Sequence, residues 1–467
     1  MNPNRIKPAV GPLAVEYLAQ AAEDAGLRVN FCDLCFADDP EIQLARTLGE
    51  TAPALVAVTL RNTDDCYMAT RHSFLPDHAA VVGTVRQHSD APVVLGGAGY
   101  SVAPRDVLLK TGADYGVVGD GEAAIVALSR SVRDRTPFDG IPGLLWRAGS
   151  EILANPPSWQ AFGQEPLRRR TIDNLRYFRE GGQGNVETKR GCNQHCIYCA
   201  DPAGKGTHLR LRPPEAVAGE IRNLLAQGVD VLHLCDSEFN IPGEHARAVC
   251  DELIRQGLGE RARWYAYLSP TPFDVDLARR MRRAGCAGIN FGTDSGSARI
   301  LQSLGRAHTP DDIRVAITAC RDAGMPVMVD LLLGVPGETL DSVSETIGLM
   351  QTLAPDCVGV AVGVRLYPGT RVSRQVLGSG EEVTPPGITC SGDWRDLSEP
   401  VFFVEPAVAG DIMPHIKRLV AGDQRFFVGG PDDSQLDYNY DDNSALTGAI
   451  AAGARGAYWD ILRKLGA

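Results

Sequence analysis

The chain has 467 residues, 44% of them hydrophobic and 22% charged, with a formal net charge of −12. That length exceeds one ordinary core and suits two or three globular domains. The acidic balance argues against wrapping free nucleic acid, and no apolar run reaches the ~18 residues needed to span a bilayer.

The N-terminus, Met1-Asn-Pro-Asn-Arg-Ile-Lys-Pro8, lacks the apolar core of a secretory signal, so a cytoplasmic location is expected. Residues 1–135 alternate short apolar runs with helical patterns. Strands are predicted at 27–32, 55–60, 92–96 and 115–118, with helices near 12–25, 40–49, 76–88 and 103–111 and another from Gly121. This alternation predicts a doubly wound parallel sheet, whose ligands bind outside the carboxyl ends of the strands. Those ends are Thr59-Leu60-Arg61-Asn62, Gly96-Gly97-Ala98-Gly99 and Gly119-Asp120-Gly121-Glu122. Glycines there would let a large flat ligand approach the backbone. Cys32 and Cys35 form a C-x2-C pair with no companion, expected as a strand end rather than half a metal site. Residues 136–184, with Pro137, Gly140, Pro142, Pro156 and Pro157, read as a linker; Trp146 and Trp159 are expected to pack between the flanking domains.

Residues 185–372 carry a second alternating series, with strands predicted at 186–190, 229–235, 263–268, 288–292, 327–333 and 358–364. Six βα units predict a partial barrel, with its active site at the carboxyl ends of the strands. Directly after the first of these strands come Cys192, Cys196 and Cys199, spaced C-x3-C-x2-C. Three thiolates on one loop can hold three corners of an iron–sulfur cube, leaving one iron open for chemistry. A zinc site or structural thiols are the alternative, but zinc usually takes two ligand pairs and no second pair follows at suitable spacing. The remaining residues, 373–467, read as a small α/β extension. It has a strand at 400–404, helices at 412–419 and 445–465, and a polar, acidic stretch at 429–443 that is either a lid or a solvated loop.

The cysteine spacing, with the aromatic Tyr198 before the last cysteine, resembles the radical S-adenosylmethionine (SAM) superfamily. The resemblance implies a 4Fe-4S cluster on Cys192, Cys196 and Cys199. It also implies SAM chelated to the open iron and cleaved to a 5′-deoxyadenosyl radical. SAM contacts are implied for Tyr198 and for residues at three strand ends: Asp236, Ser237 and Glu238; Asp294 and Ser295; and Gly334 in Leu333-Gly-Val-Pro-Gly-Glu338. Asp236 or Glu238 would receive the ammonium of SAM. Ser297 and Thr370 suit helix caps equally well.

Residues 1–135 resemble the cobalamin-binding domain that precedes the radical module in one branch of this superfamily. The matching pieces are Pro12-Leu13, Gly96-Gly97 and Val118-Gly-Asp-Gly-Glu122. The resemblance implies cobalamin contacts from Thr59, Arg61, Asn62, Gly96, Gly97, Gly99, Gly119, Gly121 and Glu122. Two departures stand out. Almost nothing precedes Asn2 where the family has an apolar first strand, so that strand is expected to be missing or truncated. There is also no D-x-H-x-x-G motif, which leaves Arg61 as the candidate for the lower face of the cobalt. The implied function is a cobalamin-dependent radical SAM methyltransferase that methylates an unactivated carbon of a small molecule and draws electrons from a donor such as flavodoxin or ferredoxin. Cyclisation, ring contraction or oxidation with the same cofactors is one alternative; an iron–sulfur redox or sensing protein without SAM turnover is another.

Overall fold

A computed structural model describes residues 1–378, 383–429 and 440–466. Most of the acidic 429–443 stretch therefore lies outside the described residues. The first sheet is built from β1 (Val56–Thr59), β2 (Val93–Gly96), β3 (Tyr115–Val117), β4 (Leu144–Ala148) and β5 (Glu151–Ala154), in that spatial order. The first three strands are parallel, as their near-continuous Val and Leu content demands of strands covered on both faces. The covering helices are α1 (Leu13–Asp24), α2 (Pro40–Thr51), α3 (Leu75–His88), α4 (Ala98–Val102), α5 (Pro104–Thr111) and α6 (Glu122–Asp134). β4 and β5 form an antiparallel hairpin on the edge of β3, so the segment read as a linker also extends this sheet. Trp146 accordingly packs within this domain, against Phe138 at 5.9 Å, and not between domains.

The stretch Leu27–Cys32, predicted as a strand, forms no ladder. Its partner position is filled only at one end. Met1 donates its amino group to the Ala57 carbonyl and accepts from the Thr59 N–H, while Asn2 pairs with Asp33. Below them, between this stretch and β1, lies a cavity of about 610 Å³. An extended segment with no neighbour to receive its backbone groups cannot join a sheet.

Next come β6 (Gly184–Val186), the two-residue pair β7 (Lys189–Arg190) and β8 (Arg210–Leu211), then β9 (Val231–Leu234), β10 (Arg263–Leu268), β11 (Cys286–Asp294), β12 (Val327–Leu333) and β13 (Cys357–Val362). β14 (Val364–Arg365), β15 (Ile388–Cys390) and β16 (Val401–Phe403) make a small antiparallel sheet, followed by β17 (Phe426–Val428). The order β6-β9-β10-β11-β12-β13-β17 is parallel throughout, an open barrel wall. The six strands expected from the sequence supply its body. The seventh, Phe426–Val428, comes from the extension and was too short to read. Ile289, Phe291, Val329 and Val358 face the outer helices in one continuous core. The helix expected at 445–465 is two, Ser444–Ala451 and Tyr458–Leu465, parted at Gly453 and Gly456. Both glycines have positive φ, 103° and 153°, which ends a helix at little cost only for glycine.

The two domains are joined by buried charge. The loop after β1 reaches across to β14, where Arg365 donates to Asp64 at 2.8 Å with both side chains buried. Breaking a buried ion pair on one side typically costs about 3–5 kcal/mol. Asp64→Ala should lower the unfolding free energy by about that much in urea titrations, whereas Asp64→Asn should lose less. Gly97 sits at φ 109°, and a Cβ there would lie 2.5 Å from the Leu60 carbonyl oxygen. Gly97→Ala should therefore destabilise by about 1–3 kcal/mol in the same measurement, with or without any ligand.

Candidate active site between the two domains

The cysteine loop begins where the β7–β8 pair ends. Gly191 turns the chain at φ 89°, and a Cβ there would press on the His208 carbonyl at 2.1 Å. The three thiols of Cys192, Cys196 and Cys199 are neither disulfide-bonded nor fully buried. Burial pushes all three thiols up, Cys199 to about 12. Iron would displace those protons, since thiolate is the ligand form. Cys196 accepts a hydrogen bond from Arg306 Nη1 at 2.9 Å. Among the described residues no three His, Cys, Asp or Glu side chains converge on a single point. Cys32 and Cys35 are buried free thiols in the first domain, with no metal set around them.

The residues expected to meet SAM divide by their partners. Asp236 is engaged by the chain: its carboxylate accepts from the Thr188 N–H at 2.7 Å, the Thr188 hydroxyl at 2.5 Å and the Lys189 N–H at 3.3 Å. It braces the strand leading to the cysteines, with two N–H groups on Oδ1 and the hydroxyl alone on Oδ2. Glu238 is different. Its Oε1 lies 3.6 Å from Arg306, and its Oε2 is buried without a partner. Burial pushes its carboxyl up to about 7, with Asp294 adding to the rise and Arg306 opposing it. A buried carboxylate oxygen lacking a donor fits a cationic ligand. Ser237 donates to Asp201 at 2.6 Å and accepts from Lys205 at 3.3 Å. Tyr198 donates to Asp294 at 2.6 Å, and Asp294 also faces Arg306 Nε at 3.2 Å. Ser295 is fully buried against the Thr346 hydroxyl at 3.0 Å, behind the strand end. Gly334 turns at φ 78°, and its carbonyl accepts from the Glu405 N–H. Thr370 is a helix cap, accepting from the Ser373 N–H.

On the cobalamin side, Thr59, Gly96, Gly97, Gly119, Gly121 and Glu122 all line the 610 Å³ cavity. Arg61, Asn62 and Gly99 lie beyond it. Gly96 leaves open room, since a Cβ there meets nothing nearer than 3.8 Å. Gly97 and Gly99 are required by the chain itself. Their missing side chains are replaced by the chain's own Leu60 and Asn62, with Cβ clashes of 2.5 and 2.4 Å. The Glu122 carboxylate accepts from Arg190 at 2.6 Å, and Asp120 is held by Arg190 at 3.3 Å and by Arg210. Trp159 wedges between Gly119 and Gly206, one glycine from each domain. Arg61 reaches over the barrel mouth, where its charge lowers the Cys235 thiol and the carboxyl of Asp441 against the upward push of burial, which holds Asp441 at about 6.

Between Arg61 and the barrel floor is a polar, aromatic lumen that the sequence did not reveal. Asn290 on β11 alternates with the core residues Ile289 and Phe291, so it faces inward. Tyr267 pairs with it across the strands and is 38% exposed on a strand bonded on both edges, so its exposure is to the interior. The His233 ring lies tilted against Tyr267 at 5.1 Å, and burial lowers its imidazole to about 4, so it is neutral. Trp459, buried, packs edge-on against Tyr265 on the same strand as Tyr267. Arg306 was also missed. Nothing in Leu304-Gly-Arg-Ala307 distinguishes it from other surface-like arginines in sequence.

Two family profiles match the chain: the B12 binding domain over residues 4–129 and the Radical SAM superfamily over residues 186–350. Tryptophan 2-C-methyltransferase of Streptomyces laurentii is 33% identical over 432 residues, covering 79% of this chain and 72% of that protein. An uncharacterized methyltransferase of Pyrococcus horikoshii is 24% identical, with 79% of each covered. The structure of TsrM, a radical SAM methyltransferase from Kitasatospora setae, solved with tryptophan and aza-SAM, superposes with a TM-score of 0.94. It is 30% identical and covers 99% of this chain and 96% of that one. A second TsrM structure holds cobalamin and a [4Fe-4S] cluster. The two-domain architecture, the cysteine loop facing a cobalamin-type sheet and these relatives together establish that the chain belongs to the cobalamin-dependent radical SAM methyltransferases.

Proposed function

We propose that the protein methylates a ring carbon of an aromatic amino acid of the tryptophan class. The observation that carries this reading is the lumen. His233 and Tyr267 offer ring faces, and Asn290 offers a polar group beside them. Such a wall suits a flat, heteroaromatic, zwitterionic molecule. Its likeness to the tryptophan methyltransferase of Streptomyces laurentii supports the same class. When bound, the cluster, SAM and cobalamin supply the methyl group and the one-electron chemistry. The chain's part is to place them. Cys192, Cys196 and Cys199 would hold the cluster, and Glu238 and Asp294, locked by Arg306 and Tyr198, would receive SAM. Thr59, Gly96 and Gly119–Glu122 would cradle cobalamin, with Arg61 between it and the lumen.

All twelve cysteines are free, which suits the reducing cytoplasm, where a flavodoxin or ferredoxin is the matching electron donor. No helix among the described residues is long and apolar enough to cross a membrane. The net charge of −12 favours a small-molecule substrate over nucleic acid.

Anaerobically reconstituted protein supplied with cobalamin, methyl-labelled SAM and L-tryptophan should yield a labelled, ring-methylated product. Labelling of other indoles but not of tryptophan would narrow the class, and labelling of none would sink it. Changing Cys192, Cys196 and Cys199 together to Ala should reduce bound iron from about four atoms per chain to none, while changing Cys32 and Cys35 should leave it unaltered.

A third expectation concerns pH. The Glu238 carboxyl rises from an ordinary 4.5 to about 7 on folding. The folded state thus holds this proton more tightly, and stability falls as pH rises from about 4.5, with the penalty complete above about 7. Glu238→Gln removes that penalty. In cluster-free protein it should stabilise on the order of 1–3 kcal/mol at pH 8 by urea titration, and the gain should shrink towards pH 5.

A further inference from the structure

Arg306 is a cation placed against a cysteine sulfur. The turn that carries it is pressed onto the cysteine loop. Gly305 has φ 72°, and a Cβ there would lie 2.5 Å from the His195 carbonyl, while the Ile197 N–H donates to the Leu304 carbonyl at 3.0 Å. The guanidinium side chain is only 6% exposed. Its Nη2 donates to the Gly292 carbonyl and faces Glu238 Oε1 at 3.6 Å; its Nε faces Asp294 Oδ2 at 3.2 Å. Of these only the Gly292 contact is a hydrogen bond; the two carboxylates act on the guanidinium by charge, and its Nε is buried without a hydrogen-bond partner. The contact of Nη1 with Cys196 Sγ at 2.9 Å is additional, and a protonated thiol is a weak acceptor that does little to retain it. A thiolate bound to iron is a strong one. At Cys192 and Cys199 the backbone of Gln194 and Asp201, with the more distant charge of Lys189 at Cys192, opposes the upward push of burial. The cation therefore falls on one corner of the cysteine set.

Hydrogen bonds to cluster sulfurs and nearby positive charge raise a cluster's reduction potential, because the added electron increases the negative charge on those sulfurs. We propose that Arg306 is a positioning residue that raises the reduction potential of the cluster through Cys196 and at the same time aligns Glu238 and Asp294 beside it. This rests on the reading that Cys192, Cys196 and Cys199 hold the cluster. One residue would then couple the electron affinity of the cluster to the carboxylates assigned to SAM.

The test is a redox titration of the anaerobically reconstituted full-length protein, followed by electron paramagnetic resonance, for wild type, Arg306→Lys and Arg306→Gln. At the potential where the wild-type cluster is half reduced, Arg306→Gln should lower the reduced-to-oxidised ratio about tenfold, which is about 59 mV for one electron. Arg306→Lys keeps the charge but loses the forked donor set, and should fall between the two. Unchanged midpoints in both variants, with full iron content, would overturn the proposal. Loss of iron from both would also overturn it, since Arg306 would then only hold the loop together. Absence of a cluster from the wild type would instead defeat the cysteine assignment, and would be seen before any variant is made.

Discussion

Arg190 lies two residues before Cys192, with its guanidinium between the rings of Tyr17 and Phe162 at 4.5 and 4.8 Å. It bonds Glu187 at 2.8 Å within its own domain and Glu122 at 2.6 Å in the other. The geometry of the site depends on this one contact. Burying charge is expensive, and an ion pair placed here adds little stability over an apolar contact of equal volume. What it supplies is registration. The planar, forked guanidinium can satisfy carboxylates from two domains only in one relative orientation. The carboxyl ends of β1 to β3 are thereby fixed opposite the cysteine loop, and Trp159 between Gly119 and Gly206 fills the seam.

A second buried pair, Asp64 with Arg365, ties the opposite side, together with the Cys66 sulfur 2.8 Å from the Tyr367 hydroxyl. The loop after β1 is therefore pinned to the second domain at Asp64 and Cys66. Arg61 rides on it, near Cys235 and Asp441. A site that must hold several large groups in line benefits from walls that do not move, because misplacement by an ångström costs rate.

Asp236 and Glu238 show how the fold sorts similar residues. They are two positions apart, and both are carboxylates at the end of β9. The backbone of Thr188 and Lys189 holds the first through Oδ1, so it braces the strand that leads to the cysteines. The second turns toward Arg306 and keeps one buried oxygen without a donor. The glycines divide in the same way. Gly96 is open, whereas Gly97 and Gly99 exist for the backbone of Leu60 and Asn62.

Local spacing alone determined much of this protein. The C-x3-C-x2-C motif places three thiols on one loop. The alternation of apolar runs with helical patterns produced the parallel strands of both domains, because hydrophobic periodicity and backbone pairing act over a few residues. What depends on distant partners was not written there. Leu27–Cys32 has strand composition but no neighbour along its length to complete a ladder. Phe426–Val428 is too short to signal a strand, and becomes one because β13 presents a free edge. Arg306 lies 110 residues from the sulfur it touches. The lumen of His233, Tyr267 and Asn290 needs three strands side by side before it exists. Only the tertiary structure decided these, because the energy of a buried charge or an unpaired polar atom is set by what the rest of the chain brings against it.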